Sequence, residues 1–180
     1  SVRLGRGDAT GSGGVAAELC IADWPTPDQN VARWICTATR LRARVVRMSG
    51  PFSRGRGRNG AARIARGAVL FFMDADMLCV PRVIERGLEV VREGKVFFPG
   101  YVRQAGPNCD KYSDGNGTGN AIISRSMYAA AEGYPEYEAY GGEDIRFCRQ
   151  FDIKGLAVRE KVEGFRHQWH PKPGIGEVKA

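Results

Sequence analysis

The chain has 180 residues, of which 43% are hydrophobic and 26% are charged, and its net charge is +7. This length suits one domain with a sizeable core, so we expect residues 1–180 to form a single domain. No apolar run approaches the roughly 20 residues that span a bilayer, and no signal-peptide segment opens the sequence. We therefore expect a cytoplasmic chain without a transmembrane segment, and we leave open an anchor outside it.

Basic charge is concentrated in the first third of the chain. Residues 1–68 contain 12 Arg, no Lys and four acidic residues. Such an excess favours an anionic partner, namely nucleic acid, a phosphorylated small molecule or a membrane surface. A solvated, arginine-rich surface without such a partner would have the same composition, so charge alone does not decide between these possibilities.

Strand patterns alternate with helix patterns along the chain. In order, we expect a strand at 1–4, a strand at 18–23, a helix at 28–41, a strand at 43–48, a helix at 62–66, a strand at 68–73, a helix at 81–93, strands at 95–100 and 121–124, helices at 126–132 and 145–151, and a strand at 155–160. Segments rich in Gly, Arg and polar residues, at 49–60 and 103–120, are expected to be loops. The alternation predicts an α/β fold with a mixed, mostly parallel sheet flanked by helices. Ligands bind such sheets at the carboxyl ends of strands, where Asp23 and Asp74 both lie.

Two carboxylates follow the most apolar strand. Asp74 and Asp76 come directly after the sequence VLFFM, and on an extended backbone they would face one ligand together. Adjacent carboxylates repel each other unless a cation lies between them, and oxygen ligands suit Mg²⁺ or Mn²⁺. This DxD motif therefore predicts a divalent metal site. The alternative is a solvated pair of acids in a turn that has no function, which would have the same sequence.

The loop before this strand is rich in arginine and glycine. Arg54, Arg56 and Arg58 supply planar, multi-donor cations that suit phosphate. The loop also runs into a helix start, where backbone N–H groups favour anions. A disordered basic loop that binds nucleic acid is the alternative, but aromatic residues are missing there apart from Phe52.

Two motifs in the last third add further polar side chains. In YGGED, Glu143 and Asp144 stand at a helix start, where an acid is either a general base or only a cap. In FRHQWHP, His167 and His170 are the only histidines of the chain. Three residues apart on an extended segment they would point to opposite faces, so one of them is expected to contact a metal or a diphosphate.

The order of these motifs resembles that of GT-A glycosyltransferases, in particular family 2 and galactosyltransferase-like enzymes, including chondroitin polymerase modules. The segments RNGAARIARGAVLFFMDADM, GGEDIRFCRQF and RHQWHP carry the resemblance, which covers residues 18–172. It implies a GT-A fold and a metal-dependent hexosyl transfer, with inversion, from a UDP-sugar to a hydroxyl of a carbohydrate or other acceptor. Residues 1–17 depart from the usual first strand and helix, so this region is expected to be atypical or trimmed.

The resemblance also implies roles on the donor side. Asp23 would contact the nucleotide base, and Arg58 would face the nucleotide or its diphosphate. Asp74 would meet the ribose or the metal. Asp76 would bind Mn²⁺ or Mg²⁺ directly, with His167 as a further ligand and the other histidine as the fallback.

On the acceptor side, the resemblance makes Asp144 the base that deprotonates the acceptor hydroxyl. Glu143 would hold the acceptor sugar. The sugar and acceptor pocket would be lined by Gly119, Asn120, Tyr140, Gly141, Gly142, Trp169 and His170.

Three alternatives remain beside this interpretation. A phosphatase of the haloacid dehalogenase class also places a DxD after an apolar strand. In that class, however, the motif normally lies near the start of the chain, and a pair of Asp residues and a Lys follow late in the sequence. A nucleic-acid-binding module would use the basic first third and leave the three acidic and histidine motifs without a role. An inactive GT-A domain would bind nucleotide sugars without transfer. Because a glycosyltransferase gives every motif a role, no nucleic acid partner is expected.

Overall fold

A computed structural model describes residues 2–3, 16–25, 42–104, 106, 112–115, 117–138 and 142–170 of the chain. Its nine described strands are β1 (Val2–Arg3), β2 (Ala16–Asp23), β3 (Arg42–Arg47), β4 (Val69–Phe72), β5 (Met77–Leu78), β6 (Val96–Gln104), β7 (Tyr112–Gly115), β8 (Ala121–Ser124) and β9 (Ala157–His167). The described helices are α1 (Arg54–Ile64), α2 (Pro81–Arg92), α3 (Arg125–Ala130) and α4 (Glu143–Asp152), and a 3₁₀ turn spans Gly117–Gly119. None of these helices is long and apolar enough to cross a membrane.

The strands form one sheet in the order β3-β2-β1-β4-β8-β6-β9-β5, with β7 beside the end of β6. Among the described strands, six pairings are antiparallel and only β2–β3 and β6–β9 are parallel. The expected α/β fold with a mixed sheet is confirmed, but the expectation of a mostly parallel sheet was wrong. The reason is that β1 and β8 are inserted antiparallel between neighbours that are parallel to each other, and a buried strand such as β8 has the same apolar pattern in either direction.

Five described strands bring their carboxyl ends to one edge of the sheet. Because β2 and β4 are both antiparallel to β1, they run in the same direction; β3 shares it as the parallel neighbour of β2, and β6 and β9 share it through β8. Asp23, Asp74 and His167 therefore all lie at this edge. β2 and β4 lie on the two sides of β1.

Helices cover both faces of this sheet. Neighbouring side chains on the central strands enter different apolar clusters, as Val69 and Leu70 of β4 do, because successive side chains of a strand alternate between faces. One cluster includes Val83 and Leu88 of α2, and the other includes Phe147 of α4 together with residues of α1 and α3. The core is thus built around β4, β6 and β8, directly behind the edge where their polar ends lie.

The arginine- and glycine-rich segment expected as a loop is the beginning of α1. The Oγ of Ser53 accepts a hydrogen bond from the N–H of Arg56 at 3.3 Å and caps the helix. A Cβ on Gly55 would overlap the carbonyl oxygen of Pro135, so glycine permits the close approach of this neighbouring segment. Tertiary packing therefore overrides the low helix propensity of glycine over residues 54–60.

The last strand is longer than expected. The strand expected at 155–160 continues to His167 as β9, and its partner β6 continues to Gln104. A register shift between Gly100 and Val102 lets the two long strands remain paired. This extension carries the histidine segment to the polar edge of the sheet.

The remaining expectations agree with the structure within a few residues at element ends. The helices expected at 81–93, 126–132 and 145–151 are confirmed as α2, α3 and α4, and five expected strands are confirmed as β1, β2, β3, β4 and β8. The expected loop at 103–120 contains β7 and the 3₁₀ turn. The helix expected at 28–41 lies outside the described residues.

Candidate active site

A turn, and not extended backbone, follows β4. The N–H of Met77 donates to the carbonyl of Asp74 at 3.3 Å, and the chain then re-enters the sheet as β5 beside β9. Because the chain turns between Asp74 and Asp76, the two carboxylates take different partners. That they face one ligand together stays a prediction.

Asp76 lies beside both histidines. The Nε2 atoms of His167 and His170 are each 3.1 Å from Oδ2 of Asp76. Met77 pairs with His167 across β5 and β9, and the N–H of Gln168 donates to the carbonyl of Asp76 at 2.8 Å. Because β9 ends at His167, the chain beyond it is no longer strand, and His170 reaches the same carboxylate as His167. The expectation that the two histidines point to opposite faces was wrong.

This cluster has the donor atoms of a metal site. Its ligand atoms, from Asp76, His167 and His170, all lie within 4.8 Å of one another. The Oδ1 of Asp76 and the Nδ1 of His167 are buried without a hydrogen-bond partner among the described residues, which is uncommon for buried polar atoms. Imidazole nitrogens bind transition ions, whereas Mg²⁺ prefers oxygen, so the residues fit an ion such as Mn²⁺ better than Mg²⁺.

Arg58 connects two carboxylates from distant parts of the sequence. Its terminal nitrogens donate to Oδ1 of Asp74 and Oε1 of Glu143, both at 2.9 Å, and one of them also reaches the carbonyl of Gly119 at 3.3 Å. The guanidinium lies 4.9 Å from the centre of the Tyr134 ring, and the side chain is 13% exposed. Asp74 is thus held by an arginine and is not a member of the metal cluster.

The charges in this network shift two pKa values. Burial alone would lower the pKa of Arg58, but Tyr134 and the carboxylates of Asp74 and Glu143 raise it above its ordinary value. Burial raises the pKa of Asp74, and the guanidinium of Arg58 counteracts this. Arg58 therefore remains protonated and supplies the positive charge that two partly or fully buried acids require.

The two acids at the start of α4 have different surroundings. Glu143 is buried, with a side chain 3% exposed, and points to Arg58. Asp144 is only partly buried; its Oδ2 accepts from the hydroxyl of Thr118 at 2.9 Å. Gly142 precedes them with φ +90°, a conformation that favours glycine. Asp144 is therefore the accessible acid of the pair, and a contact between Glu143 and an acceptor sugar stays a prediction.

The end of the 3₁₀ turn contacts the segment after β4. The Oδ1 of the fully buried Asn120 accepts from the N–H of Asp74 at 3.0 Å, while its Nδ2 has no partner within the described part of the chain. A Cβ on Gly119 would lie 2.5 Å from Oδ2 of Asp74. Gly119 and Asn120, expected to line the sugar pocket, therefore also fix the position of Asp74.

Asp23 lies at the carboxyl end of β2 and is buried against a cation. Its carboxylate forms an ion pair with Arg47, and its carbonyl accepts from the N–H of Met48 at 2.9 Å. The structure thus confirms its place at the polar edge, while its contact with a base stays a prediction.

An aromatic pair that the sequence motifs did not include lies next to Asp23. The rings of Trp24 and Phe52 are 4.9 Å apart, and Phe52 is 58% exposed. The indole N–H of Trp24 donates to the carbonyl of Gly50 at 3.1 Å, and Gly57 of α1 packs against its ring. A Trp directly after an acid at a strand end was the signal available in the sequence.

The remaining expected pocket residues lie near the histidines or outside the described residues. Trp169 is 38% exposed, and its backbone N–H donates to Oε1 of Gln104 at 3.3 Å, so an aromatic face is available beside the metal cluster. Tyr140 and Gly141 lie outside the residues that the structure describes.

Comparison with known proteins identifies similar sequences. Residues 28–146 match the sequence model of glycosyl transferase family 2, a range that contains Arg58, both acids of the DxD motif, and Asp144. Chondroitin sulfate N-acetylgalactosaminyltransferase 1 of mouse and that of human are each 27% identical to this chain over 158 residues. These matches cover 74% of this chain but 30% of each relative, so the chain spans less than a third of their length.

Proposed function

The chain belongs to glycosyl transferase family 2, and from this premise we propose that it transfers a sugar from a nucleoside-diphosphate donor to an acceptor hydroxyl. The observation that carries the proposal is the meeting, at one edge of the sheet, of a metal-ligand cluster and an accessible carboxylate. The cluster comprises Asp76, His167 and His170, and the carboxylate is Asp144. A charged donor and a hydroxyl that must lose a proton require these two features.

We propose that the donor nucleotide lies along this edge, from the end of β2 to the turn after β4. The Trp24 and Phe52 rings offer an aromatic surface for the base, near the end of β2 that carries Asp23. The carboxyl ends of β2 and β4 lie at the same edge of the sheet, on the two sides of β1. Uridine is the base that the family resemblance suggests, and the relatives' names make an N-acetylhexosamine the first sugar to test.

The metal cluster serves the leaving group in this proposal. An ion held by Asp76, His167 and His170 would neutralise the negative charge that grows on the departing diphosphate. The chain's own contribution is to hold these three side chains at fixed positions, two from the end of β9 and one from the turn before β5.

Asp144 is the group that we propose as the general base. The hydrogen bond from Thr118 orients its carboxylate, and its partial exposure leaves it accessible to an acceptor. A base that takes the acceptor proton on the side of the sugar carbon away from the leaving group favours a single displacement with inversion. The phosphatase alternative is less well supported, because Asp74 is engaged by Arg58 whereas Asp76 lies beside two histidines.

Thermal unfolding with ligands tests this function. We would measure the melting temperature with UDP, UDP-N-acetylgalactosamine and other nucleotide sugars, each with and without Mn²⁺. Ligands that bind only the folded state raise its stability by mass action. We expect UDP or a nucleotide sugar to raise the melting temperature only when Mn²⁺ is present. This stabilisation should be lost in Asp76→Ala and kept in Asp114→Ala, a matched change at an exposed acid of β7. A folded protein that no nucleotide stabilises would contradict it.

A further inference from the structure

We propose that Arg58 is a positioning residue that fixes the distance between the donor side and the acceptor side of the site, and that it is not a ligand of the diphosphate. The inference rests on the proposed function, because it assigns a task within the same site. It also revises the role that the family resemblance implies for this arginine.

The first argument is the set of segments that Arg58 joins. It holds the turn after β4 through Asp74 and the start of α4 through Glu143, both at 2.9 Å, and the 3₁₀ turn through the carbonyl of Gly119 at 3.3 Å. Asp74 lies two residues before the metal-binding Asp76. Glu143 directly precedes the base, Asp144. One guanidinium therefore connects the segment that holds the donor with the helix start that carries the base.

The second argument is the limited access to the guanidinium of Arg58. Three of its five N–H groups donate to Asp74, Glu143 and the carbonyl of Gly119, one face lies over Tyr134, and the side chain is 13% exposed. A rotation that turned these N–H groups toward a diphosphate would release Glu143. That carboxylate is 3% exposed and would then be a buried charge without its cation, which is strongly unfavourable.

The third argument concerns the kind of cation. A guanidinium is planar and presents its N–H groups as a rigid fork, so it can hold two carboxylates while it stacks on a ring. A lysine ammonium is a compact point charge on a flexible stem and cannot hold this geometry. Arg58→Lys therefore keeps the charge but loses the fixed spacing between Asp74 and Glu143.

The experiment compares Arg58→Lys with Arg63→Lys, a matched change at an exposed position of the same helix. For each protein we would measure kcat and the donor KM of sugar transfer, and the Kd of UDP in the presence of Mn²⁺. A displacement of about 1 Å between reacting groups can cost on the order of 10²-fold in rate, so kcat of Arg58→Lys is expected to fall by that order. The Kd of UDP is expected to stay close to that of the wild type, and Arg63→Lys is expected to resemble the wild type throughout. A Kd that rises as steeply as kcat/KM falls, or an unchanged kcat, overturns the proposal.

A stability cycle separates this inference from the proposed function. Melting temperatures would be compared for the wild type, Arg58→Lys, Glu143→Gln and the double variant, all without ligand. The positioning role predicts that Arg58→Lys lowers the melting temperature less in the Glu143→Gln background than in the wild type, because contacting residues are energetically coupled. Additive effects overturn it. If the wild type transfers no sugar, the proposed function fails, while the cycle still decides whether Arg58 holds the helix start.

Discussion

The hydroxyl of Thr118 donates a hydrogen bond of 2.9 Å to Oδ2 of Asp144, across 26 positions of sequence. This contact joins the 3₁₀ turn before β8 to the start of α4. The same turn ends at Gly119, whose carbonyl accepts from Arg58. The proposed base is therefore oriented by a segment that also contacts the donor side.

Removing the Thr118 hydroxyl should reduce turnover. Thr118→Val keeps the shape of the side chain but leaves Oδ2 of Asp144 without this donor, so the carboxylate is held only at Oδ1, by the N–H of Ile145 at 2.8 Å. We expect kcat to fall by about tenfold, which corresponds to about 1.4 kcal/mol, with the donor KM little changed. Thr118→Ser, which restores the hydroxyl, should recover most of the rate. Steady-state kinetics of the three proteins would decide, and equal rates for all three would show that the hydrogen bond does not matter to the reaction.

Replacing the proposed base should be more severe. Asp144→Asn preserves size and removes the ability to accept a proton, so kcat should fall on the order of 10²–10⁴-fold. Stabilisation by UDP with Mn²⁺ should remain, since Asp144 does not contact the metal cluster. Asp114→Asn, at an exposed acid of β7, is the matched control. A variant that retains substantial activity would move the base role to another residue.

The metal cluster predicts equal dependence on both histidines. Because His167 and His170 lie at the same distance from Asp76, either alanine variant should weaken Mn²⁺ binding, as Asp76→Ala should. Calorimetric titration with Mn²⁺ and with Mg²⁺ checks this, and Mn²⁺ should bind more tightly because two of the donors are imidazoles. Unchanged Mn²⁺ affinity in His170→Ala would restore the expectation of a single histidine ligand.

The aromatic pair beside Asp23 predicts a defect in nucleotide binding alone. Phe52→Ala should weaken UDP binding, because stacking of a base on an aromatic side chain contributes about 1–3 kcal/mol. The affinity for Mn²⁺ should stay unchanged, since Phe52 is not part of the metal cluster. Phe52→Tyr preserves the ring and is the control. Isothermal titration with UDP distinguishes the two variants, and equal affinities would exclude a stacking role for Phe52.

The close approach at Gly55 predicts a loss of stability. A Cβ there would overlap the carbonyl oxygen of Pro135, and backbone cannot move aside as a flexible side chain can. Gly55→Ala should therefore lower the free energy of unfolding by about 1–3 kcal/mol, although alanine is the better helix former. Chemical denaturation measures this change. A stabilised Gly55→Ala variant would mean that Gly55 does not approach Pro135 as closely as described.

Most of the strands and helices could be predicted because local pattern determines them. The apolar residues of β4 and the helical spacing in α2 and α4 reflect burial that each segment needs by itself. The polar ends at Asp23, Asp74 and Asp76 were also predictable, since ligand sites follow the carboxyl ends of strands.

Features that depend on distant residues could not be predicted in this way. The helix over residues 54–60 exists because its glycines fit against Pro135 and Trp24, which are far away in sequence. The pairing of Arg58 with Glu143 spans 85 positions, and no local pattern indicates it. The position of His170 beside Asp76 depends on where β9 ends, and the pairing of β9 with β6 and β5 decides that end.

The meeting of Asp76 with the end of β9 gives a bound ion a mechanical role besides its chemical one. His170 and Asp76 are 94 positions apart in the chain, so an ion held by both would be a removable cross-link that closes a long loop. Because the three ligands come together only in the folded chain, binding of the ion there stabilises the folded state. A chelator would remove the ion and thereby this cross-link. The strand β9 and the short β5 would become the part of the described sheet that proteases reach first.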